Sequence, residues 1–303
     1  ETGIRAPPSG VKVIHELPHE GEVNRARYMP QNPDIIATEA VTGEVFVYDL
    51  KADNGRAKGP QMVLKGHTDE GYGLSWNTHT KGRLLSCSTD KTVCIWDIGE
   101  APSGTMNPCA TFEHHEAAVN DVSWHSADPH TFASVGDDKL LILYDARMDS
   151  KTAAVKKVEA HQNEINCVAF HPTLTTLLAT GSADHTLGLF DTRKMDKPLH
   201  VLAHHSDLIY QIAWNPHNES CIASSSADRR LMVWDLSKVG DEQAREDAED
   251  GPAELLFVHG GHTSRIMDFS WNTNPGAEWM LSSVADDNVL QVYTPASAVL
   301  LGN

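Results

Sequence analysis

The sequence predicts an all-β fold made of one repeated unit, and three observations lead to this prediction. The stretch from Gly66 to Asp97 contains three short runs of alternating apolar and polar residues, separated by turn residues, which is typical of antiparallel strands. The same unit recurs along the chain, opening at a histidine and closing at an aromatic residue. The opening histidines are 48, 48, 46, 44 and 57 residues apart, close to the repeat of about 40–50 residues that forms a four-stranded propeller blade. We therefore predict a β-propeller.

Six copies of the unit can be aligned. Their opening histidines are His19, His67, His115, His161, His205 and His262. Their closing pairs are Tyr48-Asp49, Trp96-Asp97, Tyr144-Asp145, Phe190-Asp191, Trp234-Asp235 and, with threonine last, Tyr293-Thr294. Because repeats of this kind stack on their neighbours, one propeller is enough for a chain of 303 residues.

A further strand precedes the first repeat. Residues 1–18 form a lead-in that ends in the apolar run Val11-Lys12-Val13-Ile14, which we expect to be an outer strand. This run belongs to none of the repeats, which occupy residues 19–303. We therefore expect it to complete a closing blade whose other strands lie upstream of Glu1 or outside this chain. The predicted fold is a seven-bladed propeller with an incomplete seventh blade.

The repeated unit resembles the WD-repeat family over nearly the whole chain. That resemblance implies a buried hydrogen-bonded set in each complete blade, formed by the opening histidine, a strand serine or threonine, a turn aspartate and the closing tryptophan. In the second repeat these residues are His67, Ser86, Asp90 and Trp96. Such a set has the residue types of a catalytic Ser-His-Asp triad, but we interpret it as satisfying buried polar groups.

The composition narrows the classes of partner. A formal charge of -18, from 42 acidic and 24 basic residues, argues against direct binding to nucleic acid and favours a basic partner. The five cysteines have no paired CxxC spacing and four lie in predicted strands, which indicates reduced thiols in the cytosol or nucleus. No apolar run approaches the ~18 residues of a membrane-spanning helix, so no membrane association is predicted.

One stretch matches a metal-binding motif literally. His15-Glu16-Leu17-Pro18-His19 has the form HExxH, which binds zinc only when both histidines share one face of a helix. Pro18 would break that helix, and His19 already opens the first repeat. We therefore predict no metal and no cofactor.

The residues that follow each opening histidine predict a binding surface. Alternation places the third and fifth residues after the histidine on the same side of the innermost strand, at the mouth of the central channel. The third residues are Glu22, Glu70, Ala118, Glu164, Leu208 and Arg265, and the fifth are Asn24, Tyr72, Asn120, Asn166, Tyr210 and Met267. The pair Asp137-Asp138 joins them. Carboxylates, amides and aromatic rings together suit an extended peptide that carries Lys or Arg; the alternative is that these are simply solvated loop ends.

An acidic insert accounts for the longest spacing between repeats. Residues 238–254 carry seven acidic and two basic residues, a net charge of -5. Such a run is often a solvated, disordered loop. Here a turn signal at Asp250-Gly251-Pro252 and the apolar strand that follows favour a formed site on the side of the disc. It would suit an amphipathic helix with one basic edge.

Several stretches resemble one branch of the family, the retinoblastoma-binding histone chaperones shared by chromatin assembly factor, histone acetyltransferase, deacetylase and Polycomb complexes. These stretches are residues 20–31, 70–76 and 246–252. The resemblance implies a nuclear, possibly also cytoplasmic, non-catalytic subunit that binds core histones H3 and H4 and larger subunits of these complexes.

The resemblance also implies where the histones bind. The amino-terminal tail of histone H3 would lie on the face, at Glu22, Asn24, Glu70, Tyr72, Asp137, Asp138, Glu164, Tyr210 and Arg265. The first helix of histone H4 would lie in a side groove, at Asp247, Asp250, Phe257 and Val258. Asn120 and Leu208 stand where the family often has glutamate, which predicts weaker binding of cations here.

The sequence leaves two alternatives to histone binding. An enzyme would need a site that no recognisable motif indicates. A substrate receptor of a cullin ubiquitin ligase is the main alternative, because Asp145-Ala146-Arg147 and Asp191-Thr192-Arg193 match the aromatic-Asp-x-Arg signature of such receptors.

Overall fold

A computed structural model describes residues 13–52, 59–99 and 103–296. These residues form six sheets, and the first strand of each sheet packs against the first strand of the next from blade 1 to blade 6. Within each sheet consecutive strands pair antiparallel, as the turn residues between the apolar runs predicted. The protein is an all-β propeller.

The strands run outward from the central channel in chain order. Blade 1 contains β1 (Val23–Met29), β2 (Asn32–Ala40), β3 (Val45–Asp49) and β4 (Met62–Leu64). Blade 2 contains β5 (Gly71–Trp76), β6 (Arg83–Ser88), β7 (Val93–Asp97) and, after β8 (Gly104–Met106), β9 (Ala110–Phe112). Blade 3 contains β10 (Val119–Trp124), β11 (Thr131–Gly136), β12 (Leu140–Asp145) and β13 (Ala154–Glu159).

The remaining blades follow the same plan. Blade 4 contains β14 (Ile165–Phe170), β15 (Leu177–Ser182), β16 (Thr186–Asp191) and β17 (His200–Ala203). Blade 5 contains β18 (Ile209–Trp214), β19 (Cys221–Ser226), β20 (Leu231–Asp235) and β21 (Leu255–His259), with the helix α1 (Asp247–Asp250) in the loop before β21. Blade 6 contains β22 (Ile266–Trp271), β23 (Leu281–Ala285) and β24 (Leu290–Tyr293).

One strand leaves its own blade. After β7 the chain crosses to the outer edge of blade 1, where β8 pairs in parallel with β4, and it then returns to form β9. Blade 1 therefore has five strands, and β8 covers an edge that would otherwise present unpaired backbone groups.

The apolar core consists of layers between successive blades. Separate clusters of buried side chains join blades 1 and 2, 2 and 3, 3 and 4, 4 and 5, and 5 and 6. Each contains the aromatic residue that ends an inner strand: Trp76, Trp124, Phe170, Trp214 and Trp271. Stacking of this kind makes each blade depend mainly on its two neighbours.

Blades 6 and 1 meet differently. Within the described ranges no apolar cluster joins them, and a cleft of about 470 Å³ lies between Tyr28 of β1 and the side chains of Val284 and Leu290. An ion pair of 3.0 Å between Arg27 Nη1 and Asp268 Oδ2 spans the junction. An ion pair and an open cleft therefore mark this junction, whereas apolar clusters fill the other five.

The blade count corrects the prediction of a seven-bladed ring, since the described part of the chain forms six. Val11 and Lys12 of the predicted outer strand lie outside the described residues. Val13 and Ile14 are exposed and belong to no strand, so they add no sheet. The segment from His15 to His19 is not helical either, so the HExxH stretch lacks the helix face on which that motif depends.

No helix among the described residues has the length and apolar character needed to cross a membrane.

Within blade 2, one buried hydroxyl group links the opening histidine to the closing tryptophan. Ser86 Oγ lies 2.7 Å from His67 Nε2 and accepts a hydrogen bond of 2.8 Å from Trp96 Nε1. The other ring nitrogen of His67 lies 3.3 Å from Asp90 Oδ2. Burial opposes charging of the imidazole most strongly, but the contacts with Asp90 and Cys94, together with nearby Glu39, outweigh burial and raise the pKa of His67 to about 10.

The same contact recurs around the ring with different closing residues. The histidine-to-hydroxyl distances are 2.9 Å for His19–Thr38, 2.6 Å for His115–Ser134, 2.7 Å for His161–Thr180, 2.7 Å for His205–Ser224 and 2.7 Å for His262–Ser283. After each turn aspartate the next residue adopts positive φ, which lets the hairpin close tightly; these residues are Lys91, Lys139, His185, Arg229 and Asn288.

Replacing Ser86 by alanine should destabilise the protein. Ser86→Ala leaves two buried donors, on His67 and Trp96, without their acceptor, so we expect the free energy of unfolding to fall by about 2–3 kcal/mol. Urea unfolding followed by fluorescence would measure this. Ser86→Thr should recover most of the loss, because blade 4 uses Thr180 at this position, and Ser270→Ala on the exposed side of β22 should change little. Equal stability of Ser86→Ala and the parent protein would contradict this role.

Candidate functional site

Every inner strand carries a β-bulge at the same position. The regular pairing skips one residue near the start of each strand, and the skipped residues are Asn24, Tyr72, Asn120, Asn166, Tyr210 and Met267. These are the residues that lie five positions after the opening histidines. A bulged residue is released from the ladder and its side chain is redirected, so the fold turns all six toward the mouth of the channel. We use the name rim site for the surface formed by these six residues and the charged residues beside them, which are Glu22, Glu70, Asp137, Glu164 and Arg265.

Three of the bulged residues are asparagines that join neighbouring blades. Each donates a side-chain N–H to a backbone carbonyl of the next blade: Asn24 to Gly71 at 3.1 Å, Asn120 to Ile165 at 3.1 Å and Asn166 to Ile209 at 2.8 Å. Because the amide nitrogens serve the ring, the amide oxygens remain as acceptors for a ligand.

Carboxylates surround these amides. Glu70 Oε2 accepts hydrogen bonds of 3.1 Å from Asn24 Nδ2 and from the hydroxyl of Tyr72. Burial and this bond raise the pKa of Tyr72, so its hydroxyl stays protonated at neutral pH. Asp137 Oδ1 accepts a bond of 2.7 Å from Asn120, and the side chains of Glu22 and Glu164 are exposed at the starts of their blades.

The structure separates the two aspartates predicted together. Asp138 lies 2.9 Å from His115 Nδ1 inside blade 3, where it holds the turn as Asp90 does in blade 2. Its side chain is only 8 % exposed. Asp137 is exposed and belongs to the rim site, whereas Asp138 is structural.

The predicted cation of the rim site is neutralised by a partner that the sequence analysis missed. Arg265 pairs with Asp286 through contacts of 2.7 Å from Nε and 2.6 Å from Nη2, and it also donates a bond of 3.2 Å to the hydroxyl of Tyr210. The sequence did contain a sign of this partner. Asp286 immediately precedes the turn aspartate Asp287, just as the rim residue Asp137 immediately precedes the turn aspartate Asp138. Leu208 is half-buried on the same side of the ring.

A cavity of about 650 Å³ occupies the mouth of the channel. Among the predicted residues, those that line it are Glu22, Asn24, Tyr72, Asn120, Asn166, Tyr210 and Met267. Two further charged residues, Arg25 and Asp268, line it deeper in the channel. Simple alternation predicts that both side chains point away from the mouth of the channel. The bulge just before each residue shifts this alternation, so the sequence alone did not indicate them.

The rim site presents mainly oxygen atoms. A Lys or Arg side chain that enters it meets carboxylates and amide oxygens, with the ring of Tyr72 and the side chain of Met267 exposed beside them. Charge-assisted hydrogen bonds to carboxylates are about twice as strong as neutral ones. Within the part of the chain that the structure describes, no group of three or more His, Cys, Asp or Glu side chains is placed to hold a metal ion.

The acidic insert returns to the propeller at a buried glutamate. Glu254 is 8 % exposed, and its Oε1 lies 3.0 Å from His200 Nε2, which belongs to the outer strand of blade 4. Its backbone carbonyl accepts a bond of 2.7 Å from the amide of Asp235. The end of the insert is therefore fixed to blades 4 and 5. Asp250 is exposed at the end of α1, and the side chain of Asp247 is outside the described positions.

The two apolar residues predicted for the side groove do not share one face. Phe257 and Val258 are adjacent in β21, so their side chains point to opposite sides of the sheet. Phe257 packs against the core between blades 5 and 6, whereas Val258 is 37 % exposed. Of this pair, only Val258 is available as an exposed apolar contact beside the insert.

The two Asp-x-Arg sequences form local ion pairs. Arg147 lies 2.6 Å from Asp145 and Arg193 lies 2.6 Å from Asp191, with both arginines exposed. These pairs have the same geometry in blades 3 and 4, which indicates a feature of the repeat itself.

A model of the family described as WD domain, G-beta repeat matches residues 58–97, 106–145, 153–191 and 196–235, just over half of the chain. The four ranges end at the closing strands of blades 2 to 5. Blade 6 and the first three strands of blade 1 lie outside these ranges, and the histidine contacts of these two blades differ. His19 contacts Thr38 and a backbone carbonyl, and in blade 6 the distance from His262 Nδ1 to Asp287 is 4.0 Å.

Removing His200 should loosen the acidic insert. His200→Ala leaves the carboxyl group of Glu254 buried without its side-chain partner, at a local cost of about 1–3 kcal/mol. We expect faster amide hydrogen exchange in residues 239–259, with unchanged exchange in blades 2 and 3. His200→Gln, which keeps an N–H donor, should restore part of the protection. Unchanged exchange in the insert of His200→Ala would contradict this anchoring role.

Proposed function

Because the chain belongs to the WD-repeat family described as WD domain, G-beta repeat, we propose that it is a non-catalytic scaffold subunit that binds histones in chromatin-assembly or chromatin-modifying complexes. The rim site binds the basic tail of histone H3 or a similar peptide. The side groove beside the acidic insert binds the first helix of histone H4. Larger subunits of the same complexes are its other partners, and its locations are the nucleus and the cytoplasm.

The observation that carries this proposal is the chemistry of the rim site. Its three asparagines direct their N–H groups into the ring, so a ligand meets oxygen acceptors. Both cations of this surface have carboxylate neighbours: Arg265 is paired with Asp286, and Asp121 and Asp268 act on Arg25. A surface with this pattern favours ligands rich in donors and positive charge, as a histone tail is, and disfavours the phosphates of nucleic acid.

The choice of histones among basic ligands rests on the resemblance of three stretches to the retinoblastoma-binding chaperones. Two of them, residues 20–31 and 70–76, contain the rim residues of blades 1 and 2, and the third, residues 246–252, contains α1. The resemblance is therefore concentrated at the two surfaces where a basic ligand would find acceptors.

The charge and the apolar contacts of the side groove support helix binding independently of the resemblance. The insert carries a net charge of -5, and the Glu254–His200 contact holds its end against the propeller. Val258 provides an exposed apolar contact next to it. Acidic and apolar groups side by side match an amphipathic helix with one basic edge.

The roles that the polar groups already have support a non-catalytic function. The histidine of each blade contacts a serine or threonine inside the sheet, and Ser86, Ser134 and Ser224 are fully buried. A substrate could not reach these hydroxyl groups without unfolding the blade.

The rim site can be tested by charge reversal. Glu70→Lys replaces an attraction by a repulsion and removes the acceptor of Asn24 and Tyr72, so we expect at least about a tenfold loss of affinity for an H3 tail peptide. Fluorescence anisotropy at several salt concentrations would measure this. Binding to the parent protein should weaken with added salt, because the attraction between exposed charges more than about 10 Å apart is largely screened at ~0.1 M.

The matched control for this test is Glu159→Lys, which makes the same change of charge on the outer strand of blade 3. It should bind the tail peptide nearly as well as the parent protein. Equal loss in both variants would point to a general charge effect, and salt-independent binding would contradict the electrostatic basis of the rim site.

The side groove can be tested separately. Asp247→Ala combined with Asp250→Ala should weaken binding of the first helix of histone H4, because it removes two charges from α1, while H3 tail binding should persist. Glu113→Ala combined with Glu159→Ala removes the same charge from exposed positions elsewhere. Unchanged H4 affinity in the α1 variant would show that the helix binds at another surface.

A further inference from the structure

Blade 1 contains a buried carboxyl group with no hydrogen-bond partner. Glu39 of β2 is 1 % exposed, and neither of its side-chain oxygens has a partner. Neither the blade contacts nor the rim residues described above use this group. An unpaired carboxyl group in such a place is held in its neutral form, because burial disfavours charge. Burial raises the pKa of Glu39 from an ordinary 4.5 to about 8.

Charged and titratable groups from three blades face Glu39. Burial raises its pKa most strongly; His67 and Arg25 act in the opposite direction, and Asp121 and Asp90 add to the rise. The thiol of Cys87 also faces it, and burial together with Glu39 raises the pKa of that thiol. Positive and negative neighbours thus act in opposite directions on a carboxyl group that burial keeps neutral, so a further positive charge nearby would favour its ionised form.

Glu39 lies directly beneath the rim site. A Cβ added to Gly71 would lie 2.3 Å from Glu39 Oε1, so the carboxyl group packs against the backbone of that glycine. The carbonyl of the same glycine accepts the hydrogen bond of Asn24, and Glu70 and Tyr72 flank it in the chain. Glu39 therefore lies against β5 next to the rim residues Glu70 and Tyr72, and it pairs across the strands with Arg25, the neighbour of Asn24 in β1.

We propose that Glu39 is a proton-linked residue of the rim site, which is neutral while the site is empty and loses its proton when a cationic side chain binds between Asn24 and Glu70. The inference rests on the proposed binding of basic peptides. It assigns to Glu39 a hidden negative charge that forms only in the presence of a cation.

The sign of the effect follows from linkage. A bound cation favours the ionised carboxylate, so it lowers the pKa of Glu39 and a proton is released. By reciprocity, raising the pH through the range just below 8 strengthens binding, and each unit by which the pKa falls corresponds to as much as about a tenfold gain. Stability of the free protein changes the other way: it falls as the pH rises from about 4.5 to about 8, because only the folded state holds the proton in that range.

Isothermal titration calorimetry can count this proton. The full chain would be titrated at pH 8 with an amino-terminally acetylated Lys- and Arg-containing tail peptide, in two buffers of different ionisation enthalpy. We expect release of roughly half a proton per peptide bound by the parent protein. Glu39→Gln, which cannot ionise, should bind the peptide without release, and Glu159→Gln should behave as the parent protein does. Glu39→Met, uncharged and of similar length, serves as a second variant.

The outcomes separate this inference from the function on which it rests. Binding with equal proton release by the parent protein and by both Glu39 variants would overturn the inference and leave the rim site intact. Binding without release by the parent protein would do the same. Failure of every variant and of the parent protein to bind the peptide would overturn the rim-site proposal and this inference together.

Discussion

The structure depends on one contact repeated in all six blades: a hydroxyl group on the second strand lies within hydrogen-bond distance of the opening histidine. In blades 2 and 5 the same hydroxyl also accepts from the closing tryptophan. This contact fixes the start of the inner strand relative to the rest of the sheet. Because the bulge follows at a constant distance from the histidine, the same contact also decides which side chains reach the rim site.

The rim site shows how one residue type serves both the ring and a ligand. Asn24, Asn120 and Asn166 each use their N–H groups to join two blades and leave their oxygens outward. The outward acceptors of the rim site are therefore a consequence of how the propeller is held together. With Arg265 paired to Asp286, the charge of the rim site stays predominantly negative.

Blades 1 and 6 depart from this regularity in related ways. Blade 1 lacks a turn aspartate beside His19, and in blade 6 the corresponding distance is 4.0 Å. They meet across a cleft, and the ion pair between Arg27 and Asp268 spans this junction.

The sequence by itself determined the repeat, the strand order within each blade and the position of the rim residues along the chain, because histidine spacing and period-two alternation are local properties. It did not determine the blade count, which depends on whether residues 13 and 14 join a sheet. It did not separate Asp137 from Asp138, because both lie in a turn, where strand alternation does not apply. The same alternation could have separated Phe257 from Val258, which are adjacent in one strand. Only the tertiary structure placed Glu39 beneath Gly71 and paired Arg265 with Asp286, since burial and electrostatic partners arise when distant strands pack together.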